Sequence, residues 1–220
     1  MRGLGTPTLN SVQLDEARLY AITPDADPDE IGRLAAAWLR GGVDVIQLRT
    51  KALPRGALLE VARRLAGDCR AAGTLCIVND HLDIALLSGA DGVHLGETDL
   101  SVEAARRVAG DRLLVGASAS TPEAGERAER AGADYLGTGP AFATPIKAEK
   151  PAIGPEGVAD VQSRVRIPVF AIGGIERANV PALLHAGVTR ICVIRALATA
   201  PEPEEEVRRL RQALTAGALG

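Results

Sequence analysis

The sequence predicts an α/β protein that folds as a single-domain (β/α)8, or TIM, barrel. Short apolar strands alternate with helices over about 200 residues, with eight strands in all, which is the strand number of this fold and near its lower length limit. A glycine recurs where a helix ends and the next strand begins. Polar residues follow the strands, at the end where barrel enzymes have their sites. The 220 residues contain no linker rich in Pro, Gly or Ser, so one domain is favoured over two.

The predicted elements become regular from Arg18 onward. Residues 1–17 show no sustained period and are expected to form a tail or a cap over one end, ahead of a barrel domain of residues 18–220. Asp27 is the predicted N-cap of a helix with Pro28 in its first turn, and the next helix is predicted at residues 55–72. Strands are predicted at Leu19–Ile22, Val43–Leu48, Leu75–Val78, Gly92–Leu95, Leu113–Val115 and Pro168–Ile172, and after the glycines at positions 132 and 187.

Four similar tetrapeptides mark the passage from a helix to the next strand. They are Gly41-Gly42-Val43-Asp44, Gly89-Ala90-Asp91-Gly92, Gly132-Ala133-Asp134-Tyr135 and Gly187-Val188-Thr189-Arg190. A glycine just past a helix can adopt the left-handed conformation that closes the helix, so we interpret the repeat as architectural. A doubly wound open sheet is the alternative fold. Its Gly-x-Gly-x-x-Gly motif is not met, because Phe142 stands where the third glycine would follow Gly137 and Gly139.

The composition argues against several classes of function. The 25 basic and 28 acidic residues give a formal charge of -3, which implies no general attraction to nucleic acid or to an anionic membrane. Two Phe, two Tyr and one Trp provide no platform on which bases could stack. The apolar runs fall short of the roughly 18 residues of a membrane helix and the N-terminus lacks a signal pattern, so a cytoplasmic location is expected. Cys69, Cys76 and Cys192 are not at zinc-ligand spacing and are expected to be buried, reduced thiols.

Polar residues at the strand ends would converge on the C-terminal rim of the barrel. Such a concentration of polar groups is costly without partners, which favours a bound ligand. Asp80 and Asp99 follow two successive strands, and two carboxylates on one rim suit Mg²⁺, which takes oxygen ligands and keeps waters for a substrate phosphate to displace. The predicted rim residues are Gln47, Arg49, Lys51, Asn79, Asp80, His94, Glu97, Asp99, Ser118, Ser120, Thr144, Lys147, Gly173, Gly174 and Arg195.

Three cations are expected to face these two acids. Arg49 and Lys51 alternate along the chain, so both project from one face as their strand leaves the barrel, and Lys147 follows the sixth strand. Together with a metal ion, three positive charges are suited to hold a diphosphate. An ion pair of Arg49 with a structural acid at the barrel mouth explains that residue equally well.

A second anion site is predicted after the seventh strand. Gly173 and Gly174 end this strand, and glycines at such a position let backbone N–H groups approach a phosphate. Arg195, after the eighth strand, would add a charge to the same phosphate. A tight turn alone would also need these glycines.

His94 and Ser118 are the remaining candidates. His94 alternates out of a buried strand and is interpreted equally well as a core histidine or as a site residue. Gly116-Ala117-Ser118 lacks the second glycine of a nucleophile elbow, so we interpret Ser118 as a hydrogen-bond donor to a ligand and not as a covalent nucleophile.

The order and spacing of these motifs resemble those of the thiamine phosphate synthase family from Arg18 to about Leu214. The resemblance implies a barrel enzyme of thiamine biosynthesis, a transferase that joins 4-amino-2-methyl-5-hydroxymethylpyrimidine diphosphate to a thiazole phosphate and releases pyrophosphate. Its partners would be these small molecules, and a homo-oligomer is compatible with it. The motifs are Gln47-Leu48-Arg49-Thr50-Lys51, Val78-Asn79-Asp80, His94-Leu95-Gly96-Glu97-Thr98-Asp99, Gly116-Ala117-Ser118, Gly139-Pro140 with Thr144 and Lys147, and Ala171-Ile172-Gly173-Gly174-Ile175.

The resemblance also assigns roles to residues. Asp80 and Asp99 would hold Mg²⁺. The implied mechanism is dissociative: pyrophosphate departs, a pyrimidine-methyl cation forms, and the thiazole nitrogen captures it. The implied catalytic residues are Arg49, Lys51, Ser118 and Lys147. The residues implied to bind the pyrimidine diphosphate are Gln47, Leu48, Arg49, Thr50, Lys51, Asn79, Ser118 and Lys147. Those implied to bind the thiazole phosphate are Thr144, Pro145, Ile146, Gly173, Gly174, Ile194 and Arg195.

Alternative functions exist for the same fold. Four positions depart from the pattern expected of the family: Glu97 stands for glutamine, Ser120 for histidine, Ile146 for threonine and Arg195 for serine. The nearest alternative is the related thiazole tautomerase. It is disfavoured because the chain keeps both rim acids and Lys147, and has Ser120 where the catalytic histidine of the tautomerase is expected. A sugar-phosphate isomerase or epimerase would account for the paired glycines but leaves the acids and cations unexplained. A non-catalytic barrel that binds the ligand without turnover is a further alternative.

Overall fold

A computed structural model describes residues 9–144 and 151–216 of the chain. Within these residues, eight parallel strands close into a barrel in chain order, and the last strand pairs with the first. The predicted (β/α)8 barrel is therefore confirmed. The strands are β1 (Leu19–Ile22), β2 (Val45–Leu48), β3 (Leu75–Asn79), β4 (Gly92–Leu95), β5 (Leu114–Ser118), β6 (Tyr135–Thr138), β7 (Val169–Ile172) and β8 (Ile191–Val193).

The helices surround the barrel and run between its strands. A short 3-10 helix at Arg177–Asn179 precedes α8, and the last helix packs against α2. None of the described helices combines the length and the hydrophobicity needed to cross a membrane. The helices are α1 (Leu9–Glu16), α2 (Pro28–Gly41), α3 (Arg55–Ala72), α4 (Leu82–Ser88), α5 (Val102–Ala109), α6 (Pro122–Ala131), α7 (Gly154–Arg164), α8 (Val180–His185), α9 (Arg195–Ala198) and α10 (Pro203–Ala216).

Local signals in the sequence set the ends of these elements. The Asp27 side chain caps α2 by accepting from the backbone N–H groups of Asp29 and Glu30, at 3.0 and 2.9 Å, as predicted. The glycines of the four repeated tetrapeptides adopt left-handed backbone conformations, with φ of 86° at Gly42, 73° at position 89, 98° at position 132 and 80° at position 187. The repeat is therefore architectural, because a side chain at these φ values is disfavoured.

The acids of the repeat hold neighbouring strands together at the N-terminal end of the barrel. Asp44 accepts from the backbone N–H of Leu19 at 2.9 Å, and Asp91 accepts from that of Cys76 at 2.8 Å. Asp134 accepts from Val115 at 2.7 Å and also pairs with the Arg106 side chain at 2.5 Å. Each acid directly precedes one strand and accepts from the start of the preceding strand, at the end of the barrel opposite to the predicted site.

We expect Asp134→Ala to lower the melting temperature by roughly 6–12 °C. The Asp134 and Arg106 side chains are 15% and 16% exposed, so the substitution leaves a guanidinium largely buried without its charge partner, at a cost of about 3 kcal/mol. Glu60→Ala removes the partner of Arg63 from an exposed pair and is the matched control, for which no measurable change is expected. Thermal unfolding followed by circular dichroism checks both, and equal shifts would contradict the assignment.

Hydrophobic side chains form one layer outside the barrel and another inside it. The outer layer lies between strands and helices, while the inner cluster contains Tyr20, Val45, Tyr135 and Phe170. Leu14 of α1 belongs to the inner cluster and is 1% exposed, so α1 closes the N-terminal end of the barrel. The C-terminal end is left for a site. All three cysteines are buried free thiols, as predicted.

Candidate active site

The predicted cation segment after β2 is held by two side chains that follow β1. The Thr23 hydroxyl accepts from the Arg49 N–H at 2.8 Å and donates to the Arg49 carbonyl at 3.0 Å. Asp25 accepts from the Lys51 N–H and from the Thr50 hydroxyl, both at 3.0 Å. The backbone N–H of Lys51 and the Thr50 hydroxyl lower the pKa of Asp25, so this carboxylate remains charged at neutral pH.

Asp25 was missed in the sequence because Asp27, two residues later, carries the obvious helix-capping signal. Its position three residues after β1, on the rim where the other site residues lie, was the signal that could have identified it. Leu48 and Thr50, both predicted to bind substrate, have side chains engaged elsewhere. Leu48 is 1% exposed in the outer hydrophobic layer, and the Thr50 hydroxyl is bonded to Asp25. Any contact of Leu48 with a ligand would come from its backbone.

Asp80 and Asp99 form an acid pair at the ends of β3 and β4. Asp80 follows Asn79, the last residue of β3, and has a φ of 63°, a conformation that Asp and Asn tolerate better than other side chains do. Its N–H donates to the carbonyl of His94 on the next strand at 2.8 Å. The Asp99 carboxylate accepts from the Gly96 N–H at 2.8 Å, and a Cβ at position 96 would lie 2.7 Å from the same oxygen. Backbone geometry thus fixes both acids.

The electrostatics of the acid pair favour a bound cation. Burial, a hydrogen bond to Asp99 and repulsion by that carboxylate raise the pKa of Asp80 to about 6. Arg49 and Lys51 lie close enough to oppose this shift. The pair therefore carries unfavourable negative charge at neutral pH, which a bound cation would compensate. The structure brings together both predicted acids and two of the three predicted cations.

Polar side chains also line a pocket inside the mouth of the barrel. His94 on β4 and Ser118 on β5 are 3.1 Å apart, between Nε2 and Oγ, and both are half-buried. His94 is thus hydrogen-bonded to a predicted site residue and lies on the pocket wall. Gln47, on β2, is 2% exposed and reaches the same pocket. Glu97 and Ser120 also lie on the wall of this pocket.

A second pocket lies beside β7 and β8 and contains the predicted anion site. Gly173 and Gly174 have φ of 100° and 62°. A Cβ at Gly173 would lie 2.6 Å from Pro140 Cβ, and one at Gly174 would lie 2.6 Å from the Ala143 carbonyl oxygen, so both positions require glycine. Gly139 and Pro140 are joined by a cis peptide bond. The pocket wall also contains Thr144, Ile194 and Arg195.

Arg195 pairs with an acid at the edge of this pocket. Its guanidinium donates to Glu176 at 2.9 Å, and both side chains are about half exposed. Glu176 also starts the 3-10 helix, where its N–H donates to the Asn179 side chain. Pro145, Ile146 and Lys147, which were predicted to contact substrate, lie outside the described residues, and their roles remain predictions from the sequence.

Comparison with known proteins identifies the family. A family model described as "Thiamine monophosphate synthase" matches residues 19–197, which is most of the chain and all eight strands. The chain belongs to this family. The resemblance predicted from the motifs is thereby confirmed.

Several members of the thiamine monophosphate synthase family are similar over most of the chain. A thiamine-phosphate synthase of Thermosynechococcus vestitus is 41% identical over 205 residues, which cover 93% of this chain and 58% of the relative. One from Chlorobium luteolum is 44% identical over 194 residues, covering 87% and 91%. The solved structure of a thiamine phosphate pyrophosphorylase from Pyrococcus furiosus has a TM-score of 0.84 and 34% identity, covering 97% of this chain and 100% of that one. The chain thus spans less than two thirds of the first of these relatives.

Proposed function

We propose that this protein is a thiamine phosphate synthase. It joins 4-amino-2-methyl-5-hydroxymethylpyrimidine diphosphate to thiazole phosphate, giving thiamine phosphate and pyrophosphate. The observation that carries the proposal is the acid pair Asp80–Asp99 facing Arg49 and Lys51 at one end of a barrel of this family. A diphosphate leaving group needs such a combination of cations and metal-binding acids. The two pockets, one inside the mouth of the barrel and one beside β7 and β8, are candidate positions for the two substrates.

The acid pair fits Mg²⁺. Its donors are carboxylate oxygens, and burial together with repulsion by Asp99 raises the pKa of Asp80, whose charge a bound cation would stabilise. In residues 9–144 and 151–216 no group of three or more His, Cys, Asp or Glu side chains is arranged to enclose a metal ion. Two carboxylates are the usual protein contribution to Mg²⁺, which keeps waters and accepts substrate phosphate oxygens. When bound, the ion would supply positive charge against the developing charge of the pyrophosphate.

The residues of this chain would act mainly by electrostatics and positioning. Arg49 and Lys51 would stabilise the negative charge on the departing diphosphate, and Thr23 and Asp25 hold their backbone in place. Lys147 would add a third positive charge. As the C–O bond to pyrophosphate breaks, the pyrimidine methylene becomes cationic, and the thiazole nitrogen donates its electron pair to form the new C–N bond. Ser118 would contact the pyrimidine diphosphate.

The thiazole phosphate would bind in the pocket beside β7 and β8. Gly173 and Gly174 keep their backbone free of side chains there, and Arg195 supplies a cation. Because the Glu176 carboxylate pairs with the Arg195 guanidinium, Glu176 would compete with the phosphate for Arg195.

We expect Glu176→Gln to lower the KM for thiazole phosphate two- to fivefold, about what the loss of an exposed ion pair allows. Arg195→Ser should raise the same KM. Initial rates at saturating pyrimidine diphosphate test both, and a raised KM in Glu176→Gln would contradict the competition.

The decisive experiment mixes the purified protein with both substrates, with and without Mg²⁺, and follows thiamine phosphate and pyrophosphate. Product that depends on Mg²⁺ would establish the synthase. Folded protein that binds the substrates but gives no product would reject it and favour a binding role. The cytoplasmic location and the possibility of a homo-oligomer remain predictions from the sequence.

A further inference from the structure

Five polar side chains form a continuous chain of hydrogen bonds across the barrel interior. Gln47 Nε2 donates to the Tyr20 hydroxyl at 2.7 Å, and the Tyr20 and Tyr135 hydroxyls are 2.9 Å apart. Tyr135 is 3.3 Å from His94 Nδ1, and His94 Nε2 is 3.1 Å from Ser118 Oγ. The two ends of the chain, Gln47 and Ser118, lie on the wall of one pocket. The tyrosines and His94 line the same pocket and connect these two candidate substrate contacts.

Small residues on neighbouring strands create the space for this chain. A Cβ at Gly116 would lie 2.1 Å from the Tyr135 ring, and one at Gly137 would lie 3.2 Å from the His94 ring. Tyr20 and Tyr135 also pack edge-on against Phe170, at ring-centroid distances of 5.4 and 5.8 Å. The rings are thus held by packing, which leaves the hydroxyls little freedom to choose other partners.

The donors and acceptors along these hydrogen bonds follow one direction, which is set by the bond between Gln47 and Tyr20. Gln47 Nε2 can only donate, so Tyr20 accepts there and its own proton must go to Tyr135. The alternative would leave the Tyr20 hydroxyl proton buried without an acceptor, at a cost of roughly 1–3 kcal/mol. Burial raises the pKa of both tyrosines well above the usual value, so each keeps its proton at physiological pH.

The same direction of donation continues through Tyr135 and His94 to Ser118. Tyr135 donates to His94 Nδ1, so the imidazole carries its proton on Nε2 and donates it to Ser118 Oγ. The Ser118 hydroxyl proton then remains to be donated elsewhere. At the near end, Gln47 Oε1 accepts no hydrogen bond from the described part of the chain. The pocket thus offers one acceptor, on Gln47, and one donor, on Ser118.

We propose that Tyr20, Tyr135 and His94 are positioning residues that fix Gln47 as an acceptor and Ser118 as a donor, and so select an aminopyrimidine over the corresponding pyrimidinone. An aminopyrimidine presents an N–H donor beside a ring-nitrogen acceptor, which complements this pair. A pyrimidinone presents a carbonyl acceptor beside a ring N–H donor, the reverse order. It sets its carbonyl oxygen against the Gln47 acceptor and gives the Ser118 proton no acceptor on the ring. The inference rests on the proposed function, since it specifies how that site recognises its pyrimidine.

The test compares kcat/KM for the aminopyrimidine diphosphate with that for its 4-oxo analogue. The wild-type protein should prefer the amino compound at least about 100-fold, because a pocket built for a hydrogen bond rejects the mismatched partner. Tyr20→Phe releases the Gln47 amide to rotate, so the preference should fall at least about tenfold. The KM for the pyrimidine diphosphate should rise while the KM for thiazole phosphate stays unchanged. Tyr135→Phe should lower the preference as well.

A packing variant separates positioning from stability. Val45→Ala truncates a buried side chain of the same inner cluster that takes no part in the hydrogen-bond chain. It should lower the melting temperature and leave the preference unchanged. An unchanged preference in Tyr20→Phe, or a wild-type preference for the oxo compound, would overturn the inference while leaving the synthase activity in place. If no thiamine phosphate forms at all, the proposed function fails, and calorimetric binding of the two pyrimidine diphosphates to wild type and Tyr20→Phe still tests the selection.

Discussion

Asp80→Asn is expected to reduce kcat by about 1,000-fold, or roughly 4 kcal/mol in the barrier. The substitution keeps the shape of the side chain and suits the φ of 63°, since Asn tolerates this backbone conformation as well as Asp does. It removes one of two charges from the acid pair, and with it the affinity for Mg²⁺. Steady-state rates at increasing Mg²⁺ concentration measure the effect, and Asp99→Asn should behave in the same way.

The same variant should be more stable than the wild type when no metal is present. The pKa of Asp80 is raised to about 6, so the folded protein binds this proton more tightly than the unfolded chain does. Stability of the metal-free wild type therefore falls as the pH rises from about 4 to about 6, and Asp80→Asn lacks this fall. Because the group is partly exposed, we reduce the effect to about 1 kcal/mol, or 2–4 °C in melting temperature at pH 7. At pH 4 the two proteins should melt at similar temperatures.

Asp83→Asn is the matched control for the acid pair. Asp83 lies three residues further on, in the first turn of α4, and pairs with Arg55. The variant should retain near-normal turnover and show no gain in stability at pH 7. Near-normal turnover in Asp80→Asn at moderate Mg²⁺, or a melting temperature below that of the wild type at pH 7, would contradict the role of the pair.

The sequence was sufficient for the fold because the relevant signals are local. The cap of α2 depends on residues within one turn, and the left-handed glycines at positions 42, 89, 132 and 187 each act where they stand. Helix α1 was not predicted. Leu14 is the one buried side chain among residues 10–16, and a single buried position cannot produce the repeating apolar pattern by which a helix is predicted. Its position is set by packing into the inner cluster, which only the closed barrel creates.

The candidate site was predicted only in part, and distance along the chain explains the difference. Polar residues at the end of a strand, such as Asp80 and Ser118, can be found because parallel strands end on one rim. The Tyr20–Tyr135 bond joins residues 115 positions apart across the barrel, and each tyrosine by itself resembles a core residue. Likewise, the register of β2 against β3 places Gln47 toward the barrel interior. Leu48, the next residue, therefore points outward into the layer between strands and helices.

Gly174→Ala should raise the KM for thiazole phosphate about 100-fold while leaving that for the pyrimidine diphosphate unchanged, because a displacement of about 1 Å at a binding surface can cost this much. The new Cβ would lie 2.6 Å from the Ala143 carbonyl oxygen and 2.9 Å from Phe142 Cβ. Neither contact can be relieved by rotating a flexible side chain, so the backbone of the proposed phosphate pocket must move.

Gly73→Ala separates this displacement from the strain of a left-handed alanine. Gly73 has a φ of 71°, close to the 62° of Gly174, and ends α3 at the opposite end of the barrel. A methyl group added there would have no atom of the described residues within 4 Å, apart from those of its chain neighbours. Both variants should lose about 1–2 kcal/mol of stability from strain. Only Gly174→Ala should lose affinity for thiazole phosphate, measured by initial rates and by calorimetry with the single substrate. If both variants bind thiazole phosphate as tightly as the wild type does, the phosphate does not lie at Gly174.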